Sequence, residues 1–219
     1  MNRDAVARAL GSRYATPYLR NYVRWKVAMD PVYEGVAERL REHHLPLVDV
    51  GCGVGLMVFY LRESGFDGPI VGIDFDEGKI AAANEMASRY EHTEFRTGDA
   101  RAPLPEGHSV LILDVLQYFE TAGQQVTLRN AARVVPEGGV VIIRSGVRDK
   151  SWRYRLSWLS DTFGRAIRWM QAERLVIPTR EEIEGAFAEG FEKEVVPLWG
   201  RTPFNNYLFI FRRAARRSE

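Results

Sequence analysis

Cysteine is almost absent from this chain of 219 residues: Cys52 stands alone. No internal disulfide can form, and a reducing compartment is expected. A charge bias is missing too. Thirty Lys and Arg face 29 Asp and Glu, for a formal net charge of +1, so nothing global draws the chain to nucleic acid. No stretch approaches the ~20 apolar residues of a membrane span, and the opening MNRDAVARAL has no apolar run of signal-peptide length. A cytoplasmic protein without stable membrane insertion is expected. Internal repeats and low-complexity stretches are absent, apart from a short basic tail, RRAARRSE, at residues 212–219. The length suits one domain that can bury a full core without staples.

What is present is alternation. The spacing predicts helices over 3–28 and 31–43, separated at Asp30-Pro31, because proline disfavours helix for the residue before it. Strand and helix signals then alternate. Strands are predicted at 47–51, 69–74, 93–99, 109–114 and 139–145, with helices at 54–64, 77–90 and 121–134. That order implies right-handed βαβ units and a mostly parallel sheet covered on both faces. The end departs from it. A helix begins at Thr179, where Glu182 completes a capping box. Two strand-like runs follow, EKEVVPLW (192–199) and NNYLFIFRR (205–213), with only GRTPF between them, which fits an antiparallel hairpin at the sheet edge.

The segment LVDVGCGVGL at 47–56 carries the first chemical signal. A strand runs into Gly51, Gly53 and Gly55 and then into a helix, a place where a ligand meets backbone closely. Glycines there can also simply make a tight turn. A triphosphate site would need Gly-Lys-Ser/Thr to follow, and none does. A dinucleotide site needs a third glycine where Leu56 stands, so an NAD(P)-dependent oxidoreductase remains the alternative. Three carboxylates end three successive strands: Asp74, 19 residues beyond Gly55, then Asp99 and Asp114. Beside a loop with no basic group, they describe a site for a ribose-bearing ligand with little phosphate.

Together these motifs resemble the class I S-adenosylmethionine-dependent methyltransferases. VDVGCGVG resembles their first motif, GIDFDEGKI their ribose motif, RTGDA their adenine motif and LILDVLQYF their fourth. ARVVPEGGVVIIRS is similar to the turn before their fifth strand, and the terminal hairpin to their reversed seventh strand. The likeness covers 45–146 strongly and the hairpin loosely. It implies an α/β, Rossmann-like, doubly wound seven-stranded sheet with an N-terminal helical lid, in one methyltransferase domain over 1–219. Its parts would be a cap at 1–44, a cofactor core at 45–146, an inserted segment at 147–178, and the last helix and hairpin at 179–213. S-adenosylmethionine is the implied cofactor and S-adenosylhomocysteine its product. Asp49 would brace the loop, and Gly51, Gly53 and Gly55 would admit the methionine portion. Asp74 would hold the ribose with Phe75 beside the adenine, and Asp99 with Ala100 would read the adenine edge. Asp49 can equally be a buried structural acid. Asp114 would line the methionine end and, with Tyr118, offer a base, while Gln117 would orient the acceptor. A scaffold or sensor that binds the cofactor without turnover is a different class of function with the same signature.

No metal site is expected, since no Asp-Asn pair follows Asp114 as in catechol-type relatives. DVLQ stands where DNA amino-methyltransferases carry Asn/Asp-Pro-Pro-Tyr/Phe, which speaks against a nucleic-acid substrate. His43, His44, His92 and His108 all precede strands, away from the carboxyl ends where such sheets bind ligands. The resemblance also implies that acceptor-lining elements come from outside the core. One candidate is the aromatic start, with Tyr14, Tyr18, Tyr22, Trp25 and Tyr33. The other is 144–174, which holds Trp152, Trp158 and Trp169 and eight Lys/Arg against three Asp/Glu. Both can be plain packing with solvated charges. Read functionally, they form a lid over an aromatic or apolar small-molecule acceptor, and their basic surface could dock an acidic acyl carrier protein. An interfacial membrane helix is a third reading.

Overall fold

The computed structural model describes residues 3–154, 175–199 and 205–214. Helices α1 (Arg3–Arg13), α2 (Pro17–Met29) and α3 (Val32–Arg39) precede the sheet. β1 (Leu47–Val50), α4 (Leu56–Glu63), β2 (Ile70–Asp74), α5 (Glu77–Ala87) and β3 (Thr93–Thr97) follow. Then come β4 (Ser109–Leu113), a 3-10 turn (Leu116–Tyr118), α6 (Thr121–Val134) and β5 (Val140–Gly146). After the insert are α7 (Arg180–Glu184), β6 (Phe191–Pro197) and β7 (Asn206–Arg213).

The seven strands lie in the order β3-β2-β1-β4-β5-β7-β6. β1 to β5 are parallel, and β7 runs antiparallel to both β5 and β6. Period-two alternation divides the core between two faces. Leu47, Leu111, Ile142 and Ile210 pack with α1 to α5, while Val48, Ile112, Ile143 and Phe211 pack with α6 and α7. Chain order reverses between β2 and β4 on either side of β1, and the crevice beyond the carboxyl end of β1 is where such sheets receive ligands.

One expected helix is two. The stretch 3–28 breaks at Tyr14–Ala15, because Thr16 caps a new helix by accepting from the Leu19 N–H at 3.2 Å, with Pro17 in its first turn. Several other helices are shorter than their apolar periodicity suggested, notably α3 and α5. The capping box at Thr179 and Glu182 is present, but α7 has only five residues before a 3-10 turn. The hairpin link at 200–204 and the lid expected around Trp158 and Trp169 lie outside the described residues.

Candidate active site

The loop between β1 and α4 holds three left-handed glycines, Gly51, Gly53 and Gly55, at φ +74°, +56° and +79°. They serve different ends. A side chain at Gly51 would strike Val115, and one at Gly55 would lie 2.6 Å from the Phe95 ring. A side chain at Gly53 would meet nothing within 4 Å. Gly51 and Gly55 are thus demanded by packing as well as by backbone, and Gly53 alone opens onto free space.

Asp74, at the end of β2, braces this loop. Its Oδ2 accepts the Gly53 N–H at 2.8 Å and its Oδ1 the Asp76 N–H at 3.0 Å. Asp49 was expected to brace it but accepts no hydrogen bond from the described residues. It lies 2% exposed in β1, level with Gly72 of β2 and Leu111 of β4. Burial, and secondly the nearby Asp74 carboxylate, push its pKa up to about 7. Such a group favours a cationic neighbour.

Phe75, next to Asp74, is exposed, with the Lys79 ammonium 5.8 Å from its ring centroid. Asp99 and Ala100 follow β3. The Asp99 carboxylate is already engaged by Arg101, whose Nη2 lies 2.5 Å from Oδ2 and whose backbone N–H donates to Oδ1 at 2.8 Å. The Arg101 side chain holds the Asp99 carboxyl below its usual range. Any reading of an adenine edge by Asp99 must share it with that guanidinium.

Asp114 follows β4 with φ +60°, a left-handed backbone in a residue other than glycine. That conformation costs about 1–2 kcal/mol and persists only where the surroundings impose it. Here they do. Arg144, the one charge in the apolar run of β5, pairs through Nη1 with the Asp114 Oδ2 and lies 3.2 Å from Oδ2 of Asp30. Lys26 reaches the same Asp30 oxygen at 2.7 Å. Burial opposes ionisation of Asp30, but Arg144 and Lys26 outweigh it and hold its pKa below the usual value. The Arg144 and Asp30 side chains are 8% and 9% exposed, whereas that of Asp114 is 36% exposed. A buried ionic bridge thus ties the α2–α3 junction to β5 and presents a half-open carboxylate at the end of β4.

Gln117 and Tyr118 sit in the 3-10 turn just beyond. The Gln117 amide donates to the Asp114 carbonyl at 2.8 Å, which ties the side chain to the turn. Tyr118 is exposed. Gln124 of α6 secures the turn from beneath, donating to the carbonyls of Leu116 and Phe119 and to that of Val176. Sequence reasoning missed Arg144 and Asp30. A lone arginine at the carboxyl end of a buried strand was the available sign. The four histidines stand at the opposite end of the sheet, and burial lowers His43 to about 4. Among the described residues no group of three or more His, Cys, Asp or Glu could hold a metal ion, and no helix there is long and apolar enough to cross a membrane.

The residues fit a ligand that offers ribose hydroxyls and positive charge: an open glycine, a carboxylate at the loop, and a second, buried carboxyl beneath it. Comparison with known proteins agrees. The family model described as a methyltransferase domain matches residues 41–176. Indole glucosinolate O-methyltransferase 5 of Arabidopsis thaliana is 31% identical over 97 residues, 44% of this chain and 25% of that protein. An uncharacterized phycocyanin operon protein W of Pseudanabaena tenuis is 37% identical over 51 residues, 23% of this chain and 48% of that protein. The chain's matches therefore span no more than half the length of these curated relatives. Among solved structures, magnesium protoporphyrin IX methyltransferase of Synechocystis PCC 6803, with bound SAH, superposes with a TM-score of 0.68 at 18% identity over 97% of this chain and 98% of that one. The fold is the same. The chain belongs to the methyltransferase-domain family.

Proposed function

We propose that this protein transfers the methyl group of S-adenosylmethionine to a small-molecule acceptor, aromatic or apolar and bearing a hydroxyl or amine. The donor supplies a sulfonium-bound methyl, and the protein's part is to bind, orient and exclude water. In this reading Gly51, Gly53 and Gly55 bring backbone to the methionine portion, and Asp49 meets its positive charge. Asp74 takes the ribose hydroxyls on lone pairs left by Gly53 and Asp76. Phe75 flanks the adenine, and Asp99 with Ala100 reads its edge.

The observation that carries the acceptor assignment is the half-exposed Asp114 carboxylate, held by Arg144 in a strained backbone at the end of β4. It can accept the acceptor's O–H or N–H bond and aim the lone pair. Tyr118 stands beside it, and Gln117 contributes by fixing the turn. The apolar character follows from α2, where Tyr18, Trp25 and Met29 are exposed along one helical face. Tyr22 lies on that face as well, and the Asp114 and Asp30 carboxylates reinforce the effect of burial on its phenol, so the stripe borders the Asp114 end. Exposed Arg8, Arg20 and Arg24 make another face of α1 and α2 basic, which suits an acceptor tethered to an acidic acyl carrier protein as well as a free one. The whole chain then works as one methyltransferase domain with residues 1–44 as its cap.

The test is incubation with methyl-tritiated S-adenosylmethionine and host pools of metabolites and of acyl carrier protein, separately. Label should pass to one pool with the wild type and to neither with Asp114→Ala. Donor binding without transfer to any host pool would leave a non-catalytic binding protein.

A further inference from the structure

The glycine loop is held by a single-file chain of hydrogen bonds that begins outside the core. The Tyr14 hydroxyl, in the turn between α1 and α2, donates to the Val54 carbonyl at 3.0 Å. The other end of that peptide group, the Gly55 N–H, donates to the Cys52 carbonyl at 3.0 Å. The next peptide continues the line, its Gly53 N–H donating to Asp74 Oδ2 at 2.8 Å. Every link points the same way, from phenol through two peptide groups to carboxylate, and in such series each bond polarises the next.

The head of this chain is fixed in place. Tyr14 is 2% exposed, and burial pushes its phenol pKa well up, so it stays a donor. Arg20 Nε donates to the Tyr14 carbonyl at 2.7 Å. The adjacent Arg13 guanidinium bonds both Glu63 of α4 and the Tyr90 hydroxyl. At Gly11 the two helices cross so closely that a side chain would lie 2.9 Å from the Arg20 carbonyl.

We propose that Tyr14 is a positioning residue for the methyl donor: through Val54 and two peptide groups it sets the loop and the Asp74 carboxylate, so docking of the α1–α2 turn and binding of the donor are coupled. The inference rests on the reading of the loop and Asp74 as the donor site. Linkage then works both ways: what orders the turn tightens binding, and binding orders the turn.

Calorimetry with S-adenosylhomocysteine on the wild type, Tyr14→Phe and Ser109→Ala tests it. Tyr14→Phe keeps the buried ring and removes one hydrogen bond, and should weaken binding about three- to tenfold. Ser109→Ala removes a buried hydroxyl that accepts the Val140 N–H at 2.9 Å, at the amino end of β4 and away from the loop. It should lower Tm while leaving affinity within about twofold. Equal affinity of Tyr14→Phe and a wild type that binds, or equal weakening by both variants, overturns the role of Tyr14. No binding by the wild type overturns the donor-site reading instead. Amide hydrogen exchange on the unaltered protein is independent of whether Tyr14→Phe folds. S-adenosylhomocysteine should slow exchange at residues 11–20 together with 51–55, and protection confined to the loop overturns the coupling.

Discussion

Binding of S-adenosylmethionine should expel a proton, and Asp49 is the reason. Its pKa of about 7 comes from burial and from the neighbouring Asp74 carboxylate. Both causes disfavour the anion, and a cationic ligand reverses the second. At pH 7 such a group is about half protonated, at pH 6 about nine-tenths and at pH 8 about one-tenth. If the sulfonium and ammonium of the donor return Asp49 to the usual carboxylate range, those fractions are the protons released on binding. Affinity should then fall with pH, by up to about a hundredfold between pH 8 and pH 5. Titration calorimetry in two buffers of different ionisation enthalpy gives the proton count directly. The count should vanish in Asp49→Asn and be smaller for S-adenosylhomocysteine, which lacks the sulfonium charge. Without ligand, a carboxyl raised above its unfolded value loses its stabilising contribution as pH rises from about 4 through 7. Asp49→Asn should flatten that slope. Zero release at pH 6, or proton uptake, would refute the reasoning.

Gly53→Ala should weaken cofactor binding at least tenfold with only about 1–2 kcal/mol lost from stability, since its missing side chain faces open space. Gly55→Ala should instead lower Tm more steeply, because the new methyl meets Phe95 and Phe59; equal thermal shifts for the two would contradict the division of roles. Arg144→Leu should cost about 1.5–3 kcal/mol in denaturant unfolding, because it leaves the buried Asp30 carboxylate with Lys26 as its one cationic partner; a loss below 1 kcal/mol would show the bridge to be inert. Single His→Gln changes at positions 43, 44, 92 and 108 should leave turnover within a few-fold, with no histidine limb near ~6.5 in the pH profile of kcat at saturating donor. A hundredfold loss in a folded variant would contradict it.

The sheet was legible because its signals are local. LVDV, SVLIL and VVIIRSG are short apolar runs closed by glycine or an acid, and each becomes a strand within a residue or two of the expected bounds. The strand-end carboxylates were legible for the same reason. Their partners were not. Asp114 meets Arg144 thirty residues later, and Arg144 meets Asp30 from before the sheet began, so this bridge exists only once β4 and β5 lie side by side. Asp30 looked like a helix stop before Pro31, which it also is. Tyr14 was visible only as one aromatic among several, since its partner is a backbone carbonyl that no side-chain pattern reports. The break between α1 and α2 was in principle readable, because Thr16-Pro17 is an N-cap followed by a first-turn proline.

Whether the loop after β1 and the carboxylate after β2 hold a ribose-bearing methyl donor is tested most directly by calorimetry of S-adenosylhomocysteine with the wild type and Asp74→Ala, with NADH as competitor. Losing a charged acceptor to ribose hydroxyls is worth about 1.5–3 kcal/mol, so Asp74→Ala should bind roughly ten- to a hundredfold more weakly and NADH should not compete. Unchanged affinity in a folded Asp74→Ala, or displacement of S-adenosylhomocysteine by NADH, would contradict the account.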